Sequence, residues 1–206
     1  MTLPIMIIDH GAGNLVSISR ALAAAGATPL IVENADEVSD AAGMVLPGVG
    51  ATGPAMDRLS RQGLIPVIKG WSRPLLGICV GLQLMFETSV EDDSPCLGLL
   101  EGTVERLIAP RLPHMGWNDI KTRSSEPLLS GIDPSTTFYF VHSYAPVPSD
   151  KSIIIATTDY NQDVVAIVRS EHRIGVQFHP ERSGDAGRRM MKNFVESCHQ
   201  ETTIAS

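Results

Sequence analysis

PLLGICVGLQLMF, residues 74–86, sets a short apolar run, PLLGIC, directly against an amphipathic one, VGLQLMF, with Cys79 at the joint and Gly77 and Gly81 on either side. An apolar run of strand length reads as a strand buried on both faces, and the stretch after it reads as a helix. Gly-x-Cys-x-Gly at a strand-to-helix joint is the arrangement that holds a nucleophile up on a tight turn. The partial positive charge of a helix N-terminus there favours thiolate. The alternative is a structural thiol, since free cysteine commonly packs as a small hydrophobe.

Outward from this joint, the N-terminal side repeats the same grammar. PIMIID, TPLIVE and AGMVLPG read as strands, NLVSISRALAAAG as a helix ending at Gly26, and residues 53–71 as helical cover. Continuous apolar runs separated by helices are what a parallel sheet covered on both faces produces. On the C-terminal side, beyond residue 100, the texture becomes β-rich: TVERLI, TFYFVHSYAPV, SIIIATTDY, VVAIVRS and RIGVQFHP come closely spaced, with SEHR as a hairpin turn. A last helix is expected from Asp185 to His199, followed by ETTIAS as a frayed tail. The expectation is an α/β fold of three layers, with a mixed, largely parallel sheet and a β-rich second half. Residues 1–206 are read as one domain, since 206 residues at 43% hydrophobic suffice for one sizeable core.

A formal net charge of −7, with no run of Lys or Arg, argues against nucleic acid or an anionic membrane as the main partner. LPIMIIDHGAG lacks a basic leader and meets Asp9 after few apolar residues, so neither a signal peptide nor a membrane span is read there, and the expected location is cytoplasmic. Cys79, Cys96 and Cys198 form no Cys-x-x-Cys pair and suit neither a disulfide framework nor a zinc site. No metal is expected.

In an open α/β sheet, ligands gather beyond the carboxyl ends of the strands. DHGAGN, residues 9–14, carries two of the three glycines of a dinucleotide fingerprint, with Glu33 at ribose distance, but Val16 occupies the third position. A sharp strand-to-helix turn is the better account. LPGVGATGP, residues 46–54, is either a flexible crossing or a strip whose N–H groups can approach a substrate and stabilise an oxyanion. A base for Cys79 is offered by GVQFHPERSG, where His179 follows an apolar strand and Glu181 comes two residues later across Pro180. A carboxylate orienting an imidazole that deprotonates a thiol is triad logic.

PGVG, GICVGLQLMFE and GVQFHPE, in this order and spacing, resemble the class I, triad-type glutamine amidotransferases. DHGAGNLVSI, LPHMGWN, YFVHSY and HPERSG are similar, more narrowly, to the family branch that serves histidine biosynthesis, rather than those serving anthranilate or pyridoxal phosphate synthesis. The resemblance implies a flavodoxin-like fold, no cofactor, and hydrolysis of glutamine to glutamate and ammonia through a glutamyl thioester. It assigns Cys79 as nucleophile, His179 as base and Glu181 as its orienting group. Backbone N–H groups of Val49 and Val80 would form the oxyanion hole, and Gly50, Gln83, Ser143 and Tyr144 would bind glutamine. It further implies a heterodimer with a separate (β/α)8 cyclase subunit that receives the ammonia, with Asn14, Trp117, Asn118, Tyr139 and Arg182 on the docking face. Trp117 and Asn118 are expected in an MGWN turn. Two positions depart from the pattern: His10 stands where tyrosine is usual, and Arg182 where lysine is usual.

Overall fold

In the computed structural model, which describes residues 3–204, the first half of the chain becomes β1 (Leu3–Ile8), α1 (Leu15–Ala24), β2 (Ala27–Val32) and β3 (Gly43–Leu46). There follow α2 (Thr52–Arg61), α3 (Leu64–Lys69), β4 (Leu75–Ile78) and α4 (Val80–Leu84). The four strands pair in parallel in the order β2-β1-β3-β4, the beginning of a flavodoxin-like sheet. Helix α1 starts where the Asn14 side chain accepts from the Ser17 N–H. The helical cover expected over residues 53–71 divides at Gly63, whose φ of 68° ends α2 and starts α3.

The second half supplies β5 (Thr88–Ser89), β6 (Ser94–Pro95), β7 (Gly102–Arg106), β8 (His114–Asp119) and β9 (Lys121–Thr122). After these come β10 (Thr137–His142), β11 (Tyr144–Pro148), β12 (Ile154–Asp159), β13 (Asp163–Ser170), β14 (Arg173–Val176) and α5 (Gly184–Ile204). The large sheet runs β2-β1-β3-β4-β14-β13-β12-β9, with β10-β8 and β11-β7-β5-β6 as separate smaller sheets. Ser170 pairs with Arg173, so the SEHR segment is the tight turn that sends β14 back against β13. Strand β14 then lies parallel to β4, Val176 opposite Ile78, which carries the residues after 176 to the side of Cys79.

The register also shows why the sheet is covered on both faces. Leu46 pairs with Gly77 and Gly77 with Gly175, so all three share a face. A Cβ at Gly77 would stand 2.7 Å from Sδ of Met85, and one at Gly175 would collide with Leu82; α4 therefore presses directly on this face. Gly43, three residues before Leu46, points to the opposite face, where a Cβ would stand 2.5 Å from Sγ of Cys198 in α5. One cluster of buried apolar side chains spans the sheet and both helical layers, from Ile5 to Cys198.

Two expectations change. MGWN is part of strand β8, not a turn, because it pairs in register with β10, Trp117 opposite Tyr139 and Asn118 opposite Phe138. Helix α5 begins at Gly184 and continues past His199 to Ile204, through the first four residues of the presumed tail; Ala205 and Ser206 lie outside the described residues.

Candidate active site

Cys79 occupies the joint between β4 and α4 with φ 54° and ψ −108°, a backbone conformation that a non-glycine residue rarely adopts and that costs roughly 1–3 kcal/mol. The surroundings hold it there. Its N–H donates to the Val176 carbonyl at 2.8 Å, and its own carbonyl accepts from the Gln83 N–H at 3.1 Å. The 47–50 strip lies hard against this first turn of α4: a Cβ at Gly81 would overlap the Leu46 carbonyl, and one at Gly48 would stand 2.6 Å from the Gly81 nitrogen. Gly48 and Gly81 are thus explained by one close approach of two backbones, whereas Gly50 has open space around it and a φ of 88°.

Past the end of β14, period-two alternation puts Gln177 and His179 on the same side. His179 Nδ1 donates to Glu181 Oε1 at 2.9 Å, with both side chains buried. Its other ring nitrogen, Nε2, is buried and has no hydrogen-bond partner among the described residues. Burial works against a charged imidazole here, but the interactions with Cys79 and Glu181 outweigh that penalty and push the His179 pKa up to about 10. The backbone is fixed as well: the His179 N–H donates to Tyr139, and Ser183 Oγ donates to the His179 carbonyl at 2.6 Å.

Cys79 and His179 open onto one cavity of about 230 Å³. Val49 and Gly50 bound it on one side, Val80 and Gln83 on the α4 side, and Ser143 and Tyr144 at the β10–β11 junction. Among the described residues, neither the Val49 nor the Val80 N–H is taken up by a protein hydrogen bond. Gln83 spends both amide hydrogens inside the protein, on the Tyr144 carbonyl at 2.9 Å and on Gln177 Oε1 at 3.3 Å. A larger cavity of about 530 Å³ lies between residues 120 and 138, but its buried carboxylate, Glu126, is already paired with Arg169, Nε to Oε2 at 2.7 Å.

Three residues of the site escape a reading of the sequence. Glu91, in the acidic run EDD, lines the cavity, and burial raises its carboxyl above the usual range. Gln177 donates to Cys79 Sγ at 3.6 Å, and its place two residues before His179 was the available signal. His142 also faces the cavity. Of the expected docking residues, Trp117 is 57% exposed and meets the Tyr139 ring edge-on at 6.0 Å, while the Arg182 guanidinium sits 4.4 Å over the same ring. Asn14 is exposed at the head of α1. Asn118 differs: its amide is turned inward, to the Asp159 carbonyl at 2.9 Å, because it alternates with the outward Trp117. His10 is fully buried, with Nε2 2.6 Å from the Pro47 carbonyl, so it ties down the residue before the Gly48–Val49 strip.

A strained cysteine between strand and helix, a buried His–Glu pair across a small cavity and a flavodoxin-like sheet define a class of amide-processing enzymes. The family model Glutamine amidotransferase class-I matches residues 6–198, and the chain belongs to that family. It is 44% identical over 207 residues to the imidazole glycerol phosphate synthase subunit HisH of Synechococcus sp. (strain CC9902), covering 97% of each chain. To the protein of the same name from Xylella fastidiosa (strain Temecula1 / ATCC 700964) it is 46% identical over 195 residues, 93% of this chain and 96% of the other. The fold is shared with PurLQS from Thermotoga maritima, at a TM-score of 0.72 and 18% identity over 95% of this chain and 99% of that one.

Proposed function

We propose that this chain is the glutaminase subunit of an imidazole glycerol phosphate synthase, acting as a single domain in the cytoplasm. Cys79 attacks the side-chain amide carbon of glutamine while His179 takes the thiol proton through Nε2 and passes it to the departing ammonia. Glu181 holds the ring with Nε2 toward the sulfur and stabilises the imidazolium. The tetrahedral oxyanion is received by the N–H groups of Val80 and Val49. Water then cleaves the glutamyl thioester, with His179 acting as base, to release glutamate. No step calls for a metal or an organic cofactor, since a thiolate is itself a competent nucleophile. Gly50, Gln83, Ser143 and Tyr144 shape the glutamine pocket, and the Glu91 carboxylate complements the substrate's α-ammonium group. Ammonia passes to a separate (β/α)8 cyclase docked over Asn14, Trp117, Tyr139 and Arg182, which uses it to form imidazole glycerol phosphate and aminoimidazole carboxamide ribotide in histidine biosynthesis.

The observation that carries this reading is the strained Cys79 in one cavity with a His179–Glu181 pair buried at 2.9 Å. Its test is Cys79→Ala in complex with the cyclase. Synthesis from glutamine is lost, while synthesis from added ammonium salts continues; a variant that melts early or no longer binds the cyclase would give Cys79 a folding role instead. A glutamine-analogue electrophile labels Cys79 and spares Cys96, whose thiol burial holds up at about 11, and Cys198. Equal labelling of all three would contradict a selectively activated sulfur.

A further inference from the structure

Strand β8 has two faces. Met115 and Trp117 point outward, 62% and 57% exposed, whereas His114 is buried and Asn118 turns inward beside it. The His114 ring is stacked between Tyr160, at 3.9 Å, and Phe140, at 4.7 Å, both within 18° of parallel, which fixes its plane. Its Nδ1 lies 3.1 Å from Nε2 of His142, and its Nε2 lies 3.3 Å from the Asn118 amide nitrogen. The remaining nitrogen of His142, Nδ1, lies 2.8 Å from the Tyr144 carbonyl.

These contacts determine where the protons are. A carbonyl only accepts, so His142 carries its proton on Nδ1 and its Nε2 must accept. His114 must then carry its proton on Nδ1, leaving Nε2 to accept from Asn118. Both rings are neutral near pH 7, since burial lowers His114 to about 4, and burial with the facing His114 and His179 lowers His142 to about 3. These three bonds therefore point the same way, from Asn118 to the Tyr144 carbonyl. The Tyr144 carbonyl also accepts from Gln83, which donates onward to Gln177, which donates to Cys79 Sγ. A continuous line of hydrogen bonds joins the strand that carries Trp117 to the nucleophile.

We propose that Asn118, His114, His142 and Gln177 are positioning residues, a hydrogen-bond relay through which the placement of β8 sets the Ser143–Tyr144 segment, Gln83 and the Cys79 sulfur. This rests on the glutaminase reading of the cavity. The ring N–H of His114 and that of His142 each have one acceptor, so a shift of β8 must either carry the next ring with it or leave a buried nitrogen unpaired. A partner that presses on the outer face of β8 thereby acts on the glutamine pocket without touching it.

His114→Phe keeps an aromatic ring in the stack and removes both of its hydrogen bonds. In the complex with the cyclase it is expected to lower kcat/KM for glutamine by about tenfold, the scale of one or two buried hydrogen bonds. Gln177→Leu breaks the line at its other end. If the two act in series, the double variant loses no more than the worse single one; if each matters only locally, the losses multiply, and the relay is refuted. The wild-type protein gives an independent answer should a variant fail to fold: 15N-resolved imidazole spectra at pH 7 show both rings neutral with the proton on Nδ1. A proton on Nε2 of either ring overturns the relay. Failure of the wild-type complex to hydrolyse glutamine would instead refute the glutaminase reading, while leaving the tautomer result to decide the hydrogen-bond line.

Discussion

His179 and His142 line the same cavity and are almost equally withdrawn from water, at 2% and 6% exposure, yet their pKa values are pushed in opposite directions. His142 is lowered to about 3 by burial, with a carbonyl and other imidazoles as its neighbours. His179 suffers the same burial and is raised to about 10, because Cys79 and the Glu181 carboxylate stand beside it. Desolvation sets the default for a buried histidine, which is neutral, and an adjacent acid reverses it. The fold thus places a ring that can hold a proton and a ring that cannot on two sides of one small space. One suits proton transfer, and the other suits fixed, directional hydrogen bonding.

The most damaging way to break this contrast is Glu181→Gln, which keeps the shape and removes the charge. His179 should then lose one of the two partners that raise it, so its pKa should drop while the contribution of Cys79 remains. Glutaminase kcat/KM in the complex is expected to drop on the order of a thousandfold or more, as when the orienting carboxylate of a triad is neutralised. Ammonium-dependent synthesis in the same preparation serves as the control for the cyclase, and the melting temperature of the free variant as the control for folding. A loss under about tenfold would show that Glu181 does not orient the imidazole.

A smaller effect sharpens the contrast through pH. The lowered pKa values of His114 and His142 mean that the unfolded chain binds more protons than the folded one as pH falls from 6.5 toward 4, so these two groups make the fold less stable on acidification. The sign for His179 is opposite: its contribution is complete below 6.5 and is lost as pH rises through about 10. Melting temperatures should fall between pH 6.5 and 4.5, and they should fall less steeply in His142→Gln than in the wild type. An equal slope in both would mean that His142 does not titrate with unfolding.

Much of this arrangement can be read in the sequence, and what cannot has a common cause. The apolar runs of β1, β3 and β4, and the glycines around Cys79, are local signals of a doubly covered sheet and a tight strand-to-helix turn, and the structure follows them. His179 and Glu181 are marked by their place after a strand and by the intervening proline. Gly116-Trp117-Asn118, by contrast, has the composition of a turn and forms a strand because β10, about twenty residues on, supplies its ladder. Glu91 sits in a run of acids that reads as solvated surface. His114 and His142, 28 residues apart, form a pair only through that same ladder, where they are register partners. Sequence discloses what neighbours along the chain decide, and long-range strand pairing decides the rest.

The smallest expected effect on stability tests the two faces of β8 against each other. Trp117 and His114 lie three residues apart, one largely in solvent and the other at 3% exposure between two aromatic rings. Trp117→Ala removes an edge-on contact with Tyr139 but little buried area, so the free chain should lose no more than about 1 kcal/mol, within the range of exposed aromatic pairs. Its effect should fall instead on the complex, as weaker cyclase binding or as glutamine hydrolysis that no longer keeps step with synthesis, since Trp, Tyr and Arg clustered on a surface have the composition of an interface hot spot. The Arg182 guanidinium over Tyr139 keeps that ring in place when Trp117 is cut back, so the rest of the face survives the substitution. A large drop in the melting temperature of the free chain, with normal coupling in the complex, would show that Trp117 holds the fold together and that the outer face of β8 is not where the cyclase docks.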